Sequence, residues 1–419
     1  MGYMNVHNFE YPVRRKIDLA DAVSLTVASR ADLVNDQAWL SAFSGTRKDH
    51  RYYEIVEDTL HPEFVHRYLA VKDRAGVTRA IQPFFVVHLD ITEGVSRGIK
   101  PLIRLIRRLW PSFMRVRTLM LGCAAGEGHL DATDKASRGM IARFLAVSLV
   151  EEARLRNAKL IVFKEFPAMY RESLDCLRHH GYSRVPSMPA VRLRIDYPSF
   201  DDYMRRALSG NARTHLRRNL RASERPPAID LDIIDDISPF IDEAYPLYLQ
   251  VYEKSNLHFE KLTNEYFCNL GRRMPDKVRY FLWRRSGRLI AFSTCMLEGD
   301  TFCAEYLGLD YAVALDLHLY FRVFHDEVSW AIANGYRWYR SGPLQYHPKL
   351  QLRFRLEPLD LYVRHTSKIF NAALTWLLPL IEPTRYDPIL QKFPNHAELR
   401  GDETLPRQSH GHAHAREQR

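Results

Sequence analysis

Cysteine is sparse in this sequence, and none of it has the spacing of a redox or metal motif. Five cysteines are scattered through 419 residues, an odd number, and no Cys-x-x-Cys occurs. A disulfide framework and a zinc site are therefore not expected, and a reducing, cytoplasmic environment is favoured. No metal ligand set is predicted, and the histidines of the tail are given no function: His410, His412 and His414.

Long apolar runs are missing as well, and a secretory leader is not expected. No stretch reaches the roughly 18 apolar residues of a membrane span, and the first residues, "MGYMNVHNFEYPVRRK", have no apolar core of the kind that signal peptides carry. What the chain does have is a net charge of +10. A basic balance favours nucleic acid, an anionic membrane or phosphate-bearing ligands as partners.

The order of predicted elements repeats once along the chain. Residues 67–90 predict a hairpin with a turn at Asp73–Gly76, and 277–310 predict three strands with turns at Ser286-Gly287 and Gly299-Asp300. Each set is followed by a helix and another strand. We therefore predict an α/β (α+β) protein of two tandem domains with the same plan.

Composition shifts place the domain boundaries. We expect an N-terminal domain over 1–203, a basic helical linker over 204–227, a C-terminal domain over 228–365, an apolar helical segment over 366–398 and a disordered tail over 399–419.

A glycine-rich loop, "LMLGCAAGEGHLDATD", lies between a predicted strand and a helix. Its glycines, Gly122, Gly126 and Gly128, predict a turn that holds phosphate with backbone N–H groups, although the spacing is neither a P-loop nor a dinucleotide motif. Glu127 and His129 in the same loop are possible acid or base groups. The alternative is a loop that needs only positive φ angles.

Two segments have the composition of membrane-surface helices. In residues 96–121 the apolar residues, including Leu102, Leu105 and Ile106, share one helical face, and arginines occupy the other. Residues 367–383 are apolar yet too short to span a membrane. Contact with an anionic membrane is predicted, and the alternative is that both helices pack on their own domains.

The linker carries a stripe of arginines, Arg213, Arg217 and Arg221, at a spacing of four residues. Such a stripe suits a phosphate-bearing ligand, and we assign Arg213 and Arg217 to the cofactor site; a merely solvated face is the alternative. DNA is not expected as a partner, because no nucleic-acid-reading module is present.

Four residues are candidates for catalysis. Glu305 and Tyr306 fall on a strand and are expected on opposite faces, while His347 and Lys349 follow a later strand end. An amine nucleophile needs a base, for which Glu305, Tyr306 or His347 would serve, and an oxyanion donor, for which Lys349 would serve. Ordinary surface or core roles are the alternative for each.

The second half resembles the acyltransferase domain of the Fem-type branch of the GNAT superfamily. The resemblance rests on "GRLIAFSTCMLEGDTFCAEYLGLD", on "LHLYFRVFHDEVSWAIANGYRWYRSG", on Lys349, Phe354 and Pro358, and on "YPSFDDYMRRALSGNARTHLRRNLRASE", and it covers roughly residues 65–365. It implies two tandem GNAT-like domains with mixed, mostly antiparallel sheets, and acyl transfer to an amine without a metal. The family's Arg/Gln-x-x-Gly-x-Gly/Ala loop is replaced by "DYAVALD".

The expected function is transfer of an acyl group from acyl-CoA, a co-substrate rather than a permanently bound cofactor, to the amine of an amphiphilic acceptor. The surface character resembles bacterial ceramide synthases, which acylate a sphingoid amine. We therefore expect a cytoplasmic protein, peripheral on the inner membrane. One alternative is a Fem-type aminoacyl transferase with an aminoacyl-tRNA donor, and another is a non-catalytic membrane scaffold.

Overall fold

The computed structural model describes residues 22–60, 63–90, 115–132, 134–255 and 259–401. Fourteen strands occur in this part of the chain: β1 Ala22–Ala28, β2 Val65–Asp73, β3 Thr78–Asp90, β4 Arg115–Leu121, β5 Leu160–Pro167, β6 Ser183–Pro186, β7 Ala190–Arg194, β8 Ile229–Ile234, β9 Val278–Arg285, β10 Arg288–Glu298, β11 Thr301–Leu309, β12 Trp338–Ser341, β13 Arg355–Glu357 and β14 Leu359–His365.

The helices of the described residues lie between and after these strands. They are α1 Arg30–Leu33, α2 Gln37–Leu40, α3 His50–Thr59, α4 Lys135–Leu155, α5 Arg171–Leu174, α6 Cys176–His179, α7 Phe200–Ala207, α8 Gly210–Ser223, α9 Ile241–Lys254, α10 Asn264–Arg273, α11 Leu319–Ala333, α12 Tyr346–Gln351, α13 Lys368–Ile381 and α14 Pro383–Tyr386. Short 3₁₀ turns are Ala168–Tyr170, Ser238–Phe240, Leu390–Lys392 and His396–Leu399.

The strands form two seven-stranded sheets. The first has the order β1-β2-β3-β4-β5-β14-β6, and the second has the order β13-β7-β12-β11-β10-β9-β8. Each contains one parallel pair, β4 with β5 and β11 with β12, among antiparallel neighbours. The predicted fold class, two tandem domains with mixed, mostly antiparallel sheets, is confirmed.

The two halves exchange strands. In the first sheet β14, from the end of the chain, stands between β5 and β6; in the second sheet β7, from the first half, stands between β12 and β13. The sheets therefore do not divide at the predicted boundaries near 203 and 365. The sequence pattern of an inserted strand matches that of any other strand, so local periodicity does not report which sheet it joins.

The predicted hairpins are present with the predicted turns. β2 and β3 are joined through Gly76, at φ +78°, and β9 and β10 through Gly287, at φ +77°. These left-handed conformations suit glycine, which is why the turn positions were visible in the sequence.

The two sheets share a core. One cluster of buried side chains combines Trp39 and Tyr52 of the first half with Tyr266, Phe267 and Phe292 of the second. Two further clusters lie one against each sheet. The interface between the halves is thus packed like a domain interior.

The segment predicted as a linker is helical but is not a free connection. α7 and α8 bury Tyr203, Met204 and Leu216 in the core of the second half. The chain after α8 turns at the cis peptide bond Pro226-Pro227.

The predicted membrane segments have different outcomes. Most of 96–121 lies outside the described residues, as does the tail after 401. Residues 368–381 form α13, within the predicted apolar segment. Among the described helices, none combines the length and hydropathy that crossing a bilayer requires.

The exchanged strand β14 is tied to the first half by a buried ion pair. Asp360, fully buried, accepts hydrogen bonds from Arg171 at 2.6 and 3.1 Å. We expect Asp360→Ala to lower the free energy of unfolding by about 2 kcal/mol, since the Arg171 guanidinium loses its carboxylate and keeps only the carbonyls of Glu398 and Leu399 as acceptors. Urea unfolding would measure this, with exposed Asp316→Ala as the matched control; equal stabilities for the two variants would contradict the assignment.

Candidate functional site

The candidate site lies where β11 and β12 diverge. Their parallel pairing ends at Ala304 and Ser341, while β11 runs on to Leu309. Beyond that point a cavity of about 80 Å³ opens between the strands. Its wall consists of Ser293, Ala304, Glu305, Tyr306, Leu307, Tyr320, Val323, Phe324, Glu327, Tyr339, Ser341 and Phe354.

A β-bulge places the two predicted strand residues on the same side. Thr294 pairs with Tyr306 and Cys295 with Ala304, so Glu305 is the extra residue. An extra residue breaks the alternation of side chains. Glu305 and Tyr306 both point to the side of the second sheet that packs on α3 and α10, hereafter the interface side. The prediction of opposite faces is wrong.

Glu305 is held by two cations from the first half. Its carboxylate accepts from Arg47 Nε at 2.6 Å and lies 3.5 Å from Lys48 Nζ. Burial works to raise the pKa of Glu305, but Arg47 and Lys48 outweigh it, so the pKa is lowered. A carboxylate in this state is a weak proton acceptor at neutral pH, and we infer that it positions its partners.

The ion pairs continue into a buried network that joins the two halves. Glu127 contacts Arg47, and it accepts from Lys48 Nζ at 2.9 Å and from Arg340 at 3.1 Å. Arg47 also donates to Glu298 at 2.9 Å. Burial opposes the charge on Glu127, yet Arg340, Arg47 and Lys48 hold its pKa well below the usual range.

Tyr306 belongs to a line of tyrosines across the interface. Its ring packs edge-on against Tyr266, whose hydroxyl lies 2.8 Å from that of Tyr52. Tyr52 in turn donates to the carbonyl of Ala125 at 2.9 Å. Burial, Tyr266 and nearby Glu260 all raise the pKa of Tyr306, so this phenol stays protonated.

Glu260 is the acid near this site with a pKa close to neutrality. Burial raises its pKa to about 7, Lys164 opposes the rise, and Glu165 adds to it. Lys164 lies 2.8 Å from Glu165 and faces the ring of Phe259 at 5.0 Å. A carboxyl with this pKa can accept a proton from an amine at neutral pH.

His347 and Lys349 do not join Glu305 and Tyr306 in the cavity wall. His347 is exposed on α12. Lys349 is buried and donates to the carbonyls of Gly342 and Leu344 at 2.7 and 2.8 Å, and burial lowers its pKa to about 7. These bonds hold a turn in which Leu344 and Gln345 have positive φ, which gives Lys349 a structural role.

The glycine loop has a packing role. The N–H of Gly128 donates to the carbonyls of Lys164 and Glu165 at 3.1 and 3.2 Å, and a Cβ there would meet Phe166 at 2.5 Å. A Cβ on Gly126 would strike Lys48 Nζ. The loop therefore fills the space where β4 and β5 diverge. Its geometry does not support the predicted phosphate site at Gly122, Gly126 and Gly128.

The following helix is also closed to an anion at its start. The side chain of Asp134 accepts from the N–H of Ser137 at 3.0 Å and so caps α4 with a negative charge. A phosphate would meet repulsion from this carboxylate.

The arginine stripe is divided by the fold. Arg213 donates to the carbonyl of Arg205 at 2.9 Å and so ties α8 to α7, whereas Arg217 and Arg221 are exposed. α8 packs on α11, where the rings of His215 and Phe321 are 5.9 Å apart. Arg217 and Arg221 are therefore on the solvent side of α8, and Arg213 is engaged.

A second carboxyl lines the cavity on the opposite side from Glu305. Glu327, on α11, is buried and accepts hydrogen bonds from Tyr339 and from the thiol of Cys295. Burial raises its pKa. Both of these donors are uncharged, in contrast to the cations that hold Glu305 on the other side of the cavity.

Sequence reasoning missed much of this site. Arg47, Lys48 and Arg340 are distributed over 300 residues of sequence, and Glu260 stands in an unremarkable loop. No local pattern identifies such a cluster. Glu127 and Glu305 were candidates from the sequence, as possible acid or base groups, and the structure joins both to Arg47 and Lys48.

Part of the chain matches a known family model. Residues 210–349 match the model of an acetyltransferase (GNAT) domain. The stretch runs from α8 into α12 and includes both strands of the diverging pair. These residues are thus similar to a GNAT domain, and they include every residue of the cavity wall except Phe354.

Similarity to individual proteins is low. The chain is 23% identical over 352 residues to a Mycobacterium tuberculosis protein named as a candidate 8-amino-7-oxononanoate synthase, covering 81% of this chain and 45% of that protein. It thus spans about half the length of the curated relatives it matches. Among solved structures, FemX is 11% identical with a TM-score of 0.49, covering 81% of this chain and 97% of FemX.

A second solved structure with similar coverage is a tandem GNAT protein from the clavulanic acid biosynthesis pathway. It is 12% identical with a TM-score of 0.44, covering 82% of this chain and 99% of that one.

The buried network makes a prediction about acid stability. Because the pKa of Glu127 is lowered on folding from an unfolded value near 4.5, its contribution is present above that pH and is lost as the pH falls below it. We expect Glu127→Gln to lose about 3–5 kcal/mol at neutral pH, by leaving three cations short of a partner.

Urea unfolding at several pH values measures this. Wild type should lose stability steeply below about pH 4.5, and Glu127→Gln should lose less over the same range. Exposed Glu224→Gln is the control. Parallel pH curves for wild type and Glu127→Gln would contradict the role given to this carboxylate.

Proposed function

We propose that the protein is an N-acyltransferase that moves an acyl group from an acyl-CoA thioester to a primary amine. The observation that carries this is the cavity between the diverging strands β11 and β12, within the GNAT domain, with Glu305 and Tyr306 at its interface side. A thioester placed between the strands would present its carbonyl carbon to a nucleophile arriving between the two halves.

The donor's phosphates would lie at the start of α11. This fifteen-residue helix begins after His318, which makes no side-chain cap. The N–H groups of Leu319 and Phe321 donate to the carbonyls of Ala314 and His318, so it is the positive end of the helix dipole that would favour an anion here. Beside it, the ring of Phe321 lies 5.9 Å from that of His215 and 6.5 Å from that of His318. Burial lowers the pKa of His215, and Arg218, His318 and His347 lower it further. Exposed Arg218 of α8 adds positive charge.

The acceptor amine would approach from the interface side. Its nitrogen attacks the thioester carbon, a C–N bond forms, the C–S bond breaks, and the thiolate leaves and takes up one proton, which balances the one proton that the amine gives up. We assign the hydroxyl of Tyr306 to contact with the reacting groups, and Glu305 to holding Arg47 and Lys48 beside them.

Glu260 is proposed to accept the proton that the amine gives up. Its charge contributes to the raised pKa of Tyr306, and its own pKa of about 7 matches the task better than that of ion-paired Glu305. Lys349 then serves the turn between β12 and α12 rather than the oxyanion.

The acceptor is proposed to be an amphiphilic, sphingoid-like long-chain amine, met at the inner membrane by a peripheral protein. α13 supports this, because its apolar side chains are exposed. The name of the mycobacterial relative also refers to a product whose carbon chain carries an amine. Both features fit an acceptor that joins a polar amine to a long apolar chain.

A donor assay tests the proposed activity. Incubation with long-chain acyl-CoA and a long-chain amine should give an amide and free CoA in equal amounts, measured by mass spectrometry and thiol titration. Parallel incubation with charged tRNA tests the aminoacyl alternative, which the exposed arginines of α8 favour. Aminoacyl transfer alone, or no transfer to any acceptor, would overturn the proposal.

The proton acceptor is tested by Glu260→Gln. This variant keeps the size of the side chain and removes the base, so kcat should fall about 10²–10⁴-fold. In the wild type the rate should drop as the pH falls below about 7, where Glu260 becomes protonated. The exposed acid Glu265→Gln is the control. A wild-type rate for Glu260→Gln would exclude this residue as the base.

A further inference from the structure

An exposed apolar face runs along α13. The exposed fractions are 81% for Ile369, 64% for Phe370, 76% for Trp376, 44% for Leu377 and 46% for Leu380. These positions are i, i+1, i+7, i+8 and i+11, so they share one side of a helix. Large apolar side chains exposed together at this density mark a contact surface.

The opposite side of α13 already has its partner. Leu374 and Leu378 pack against the core shared by the two halves, and Asn371 donates to the carbonyl of Gly181 at 2.8 Å. The side chain of Ser183 on β6 donates to Thr375 at 3.0 Å. The helix is therefore fixed on the first sheet, and its outer face is exposed.

The charges around this face are basic. Between 367 and 386 the chain has one acid, Glu382, which is buried and paired with Arg400. Lys368 at the start of the helix and Arg385 just after it are both exposed. An apolar strip with cations at both ends suits an interface with anionic lipid headgroups, where cations pair with phosphates and aromatic rings enter the acyl boundary.

A second basic part of the chain starts and ends beside this helix. β3 ends and β4 starts at the pair Asp90 and Arg115. β5 starts at Leu160, which pairs with Thr118 of β4 and with His365 at the end of β14. These four strand termini therefore lie at the same end of the first sheet. Asp90 and Arg115 therefore lie at the end of the sheet from which β14 leads into α13. The sequence between them contains five basic residues, Arg97, Lys100, Arg104, Arg107 and Arg108.

We propose that the outer face of α13, formed by Ile369, Phe370, Trp376, Leu377 and Leu380, is a docking surface for an anionic lipid bilayer. The helix lies parallel to the membrane plane with this face in the interfacial layer, and the basic residues at its ends contact lipid phosphates. The surface is separate from the transfer cavity, so docking does not depend on the proposed chemistry.

Vesicle binding of the full-length chain tests the proposal, without acyl-CoA or amine present. The probe is vesicles of phosphatidylcholine alone or with added phosphatidylglycerol. We expect binding only with the anionic lipid, and a loss of about tenfold or more in partitioning for Ile369→Glu and Trp376→Glu. Met169→Glu, at a residue 61% exposed beyond the other end of β5, is the matched control and should bind like wild type.

Two further measurements distinguish loss of membrane docking from misfolding of a variant and from self-association of the protein. Circular dichroism and light scattering should show the same fold and the same mass for wild type and both α13 variants. Wild-type binding by the α13 variants, or equal losses in Met169→Glu, would overturn the proposal. A dimer in wild type that both variants dissociate, with no vesicle binding, would overturn it in favour of a self-association surface.

Discussion

Arg47 is the residue on which the geometry of the candidate site depends. Its guanidinium contacts Glu127 of the first half and Glu298 and Glu305 of the second, and it is almost completely buried. A buried guanidinium is tolerated only when its donors are satisfied by acceptors, so all three carboxylates must be delivered together. Correct placement of β10, β11 and the glycine loop around one cation therefore fixes how the two halves meet.

The same packing explains why two similar halves differ in their chemistry. Each sheet contains a parallel pair that diverges, β4 with β5 and β11 with β12. In the first sheet the loop with Gly126 and Gly128 closes the gap, because the N–H of Gly128 donates to β5 and the side chain of Lys48 packs against Gly126. In the second sheet the gap remains a cavity. One half thus supports the interface, and the other keeps a space for ligand.

The strand exchange connects the site to the outer surface of the first half. β14 leaves the second sheet's neighbourhood after β13, enters the first sheet beside β5, and leads directly into α13. If α13 contacts a membrane, β14 connects it to β13 and α12, which follow the cavity-lining strand β12. The acceptor side of the cavity and the apolar face of α13 belong to one continuous framework, because the two halves share a core.

Local sequence determined the hairpins, the long helices and the fold class, because alternation, glycine turns and helical periodicity act over a few residues and need no partner. It also determined that the region of Glu305 and Tyr306 was of interest. Only the tertiary structure decided that the bulge puts both on one side, that Lys349 secures a turn, and that Gly128 packs where a phosphate was expected. Those outcomes depend on which residues far apart in sequence are in contact in the fold. Arg47 and Glu305, for example, pair across 258 positions, and local periodicity or spacing does not predict such a contact.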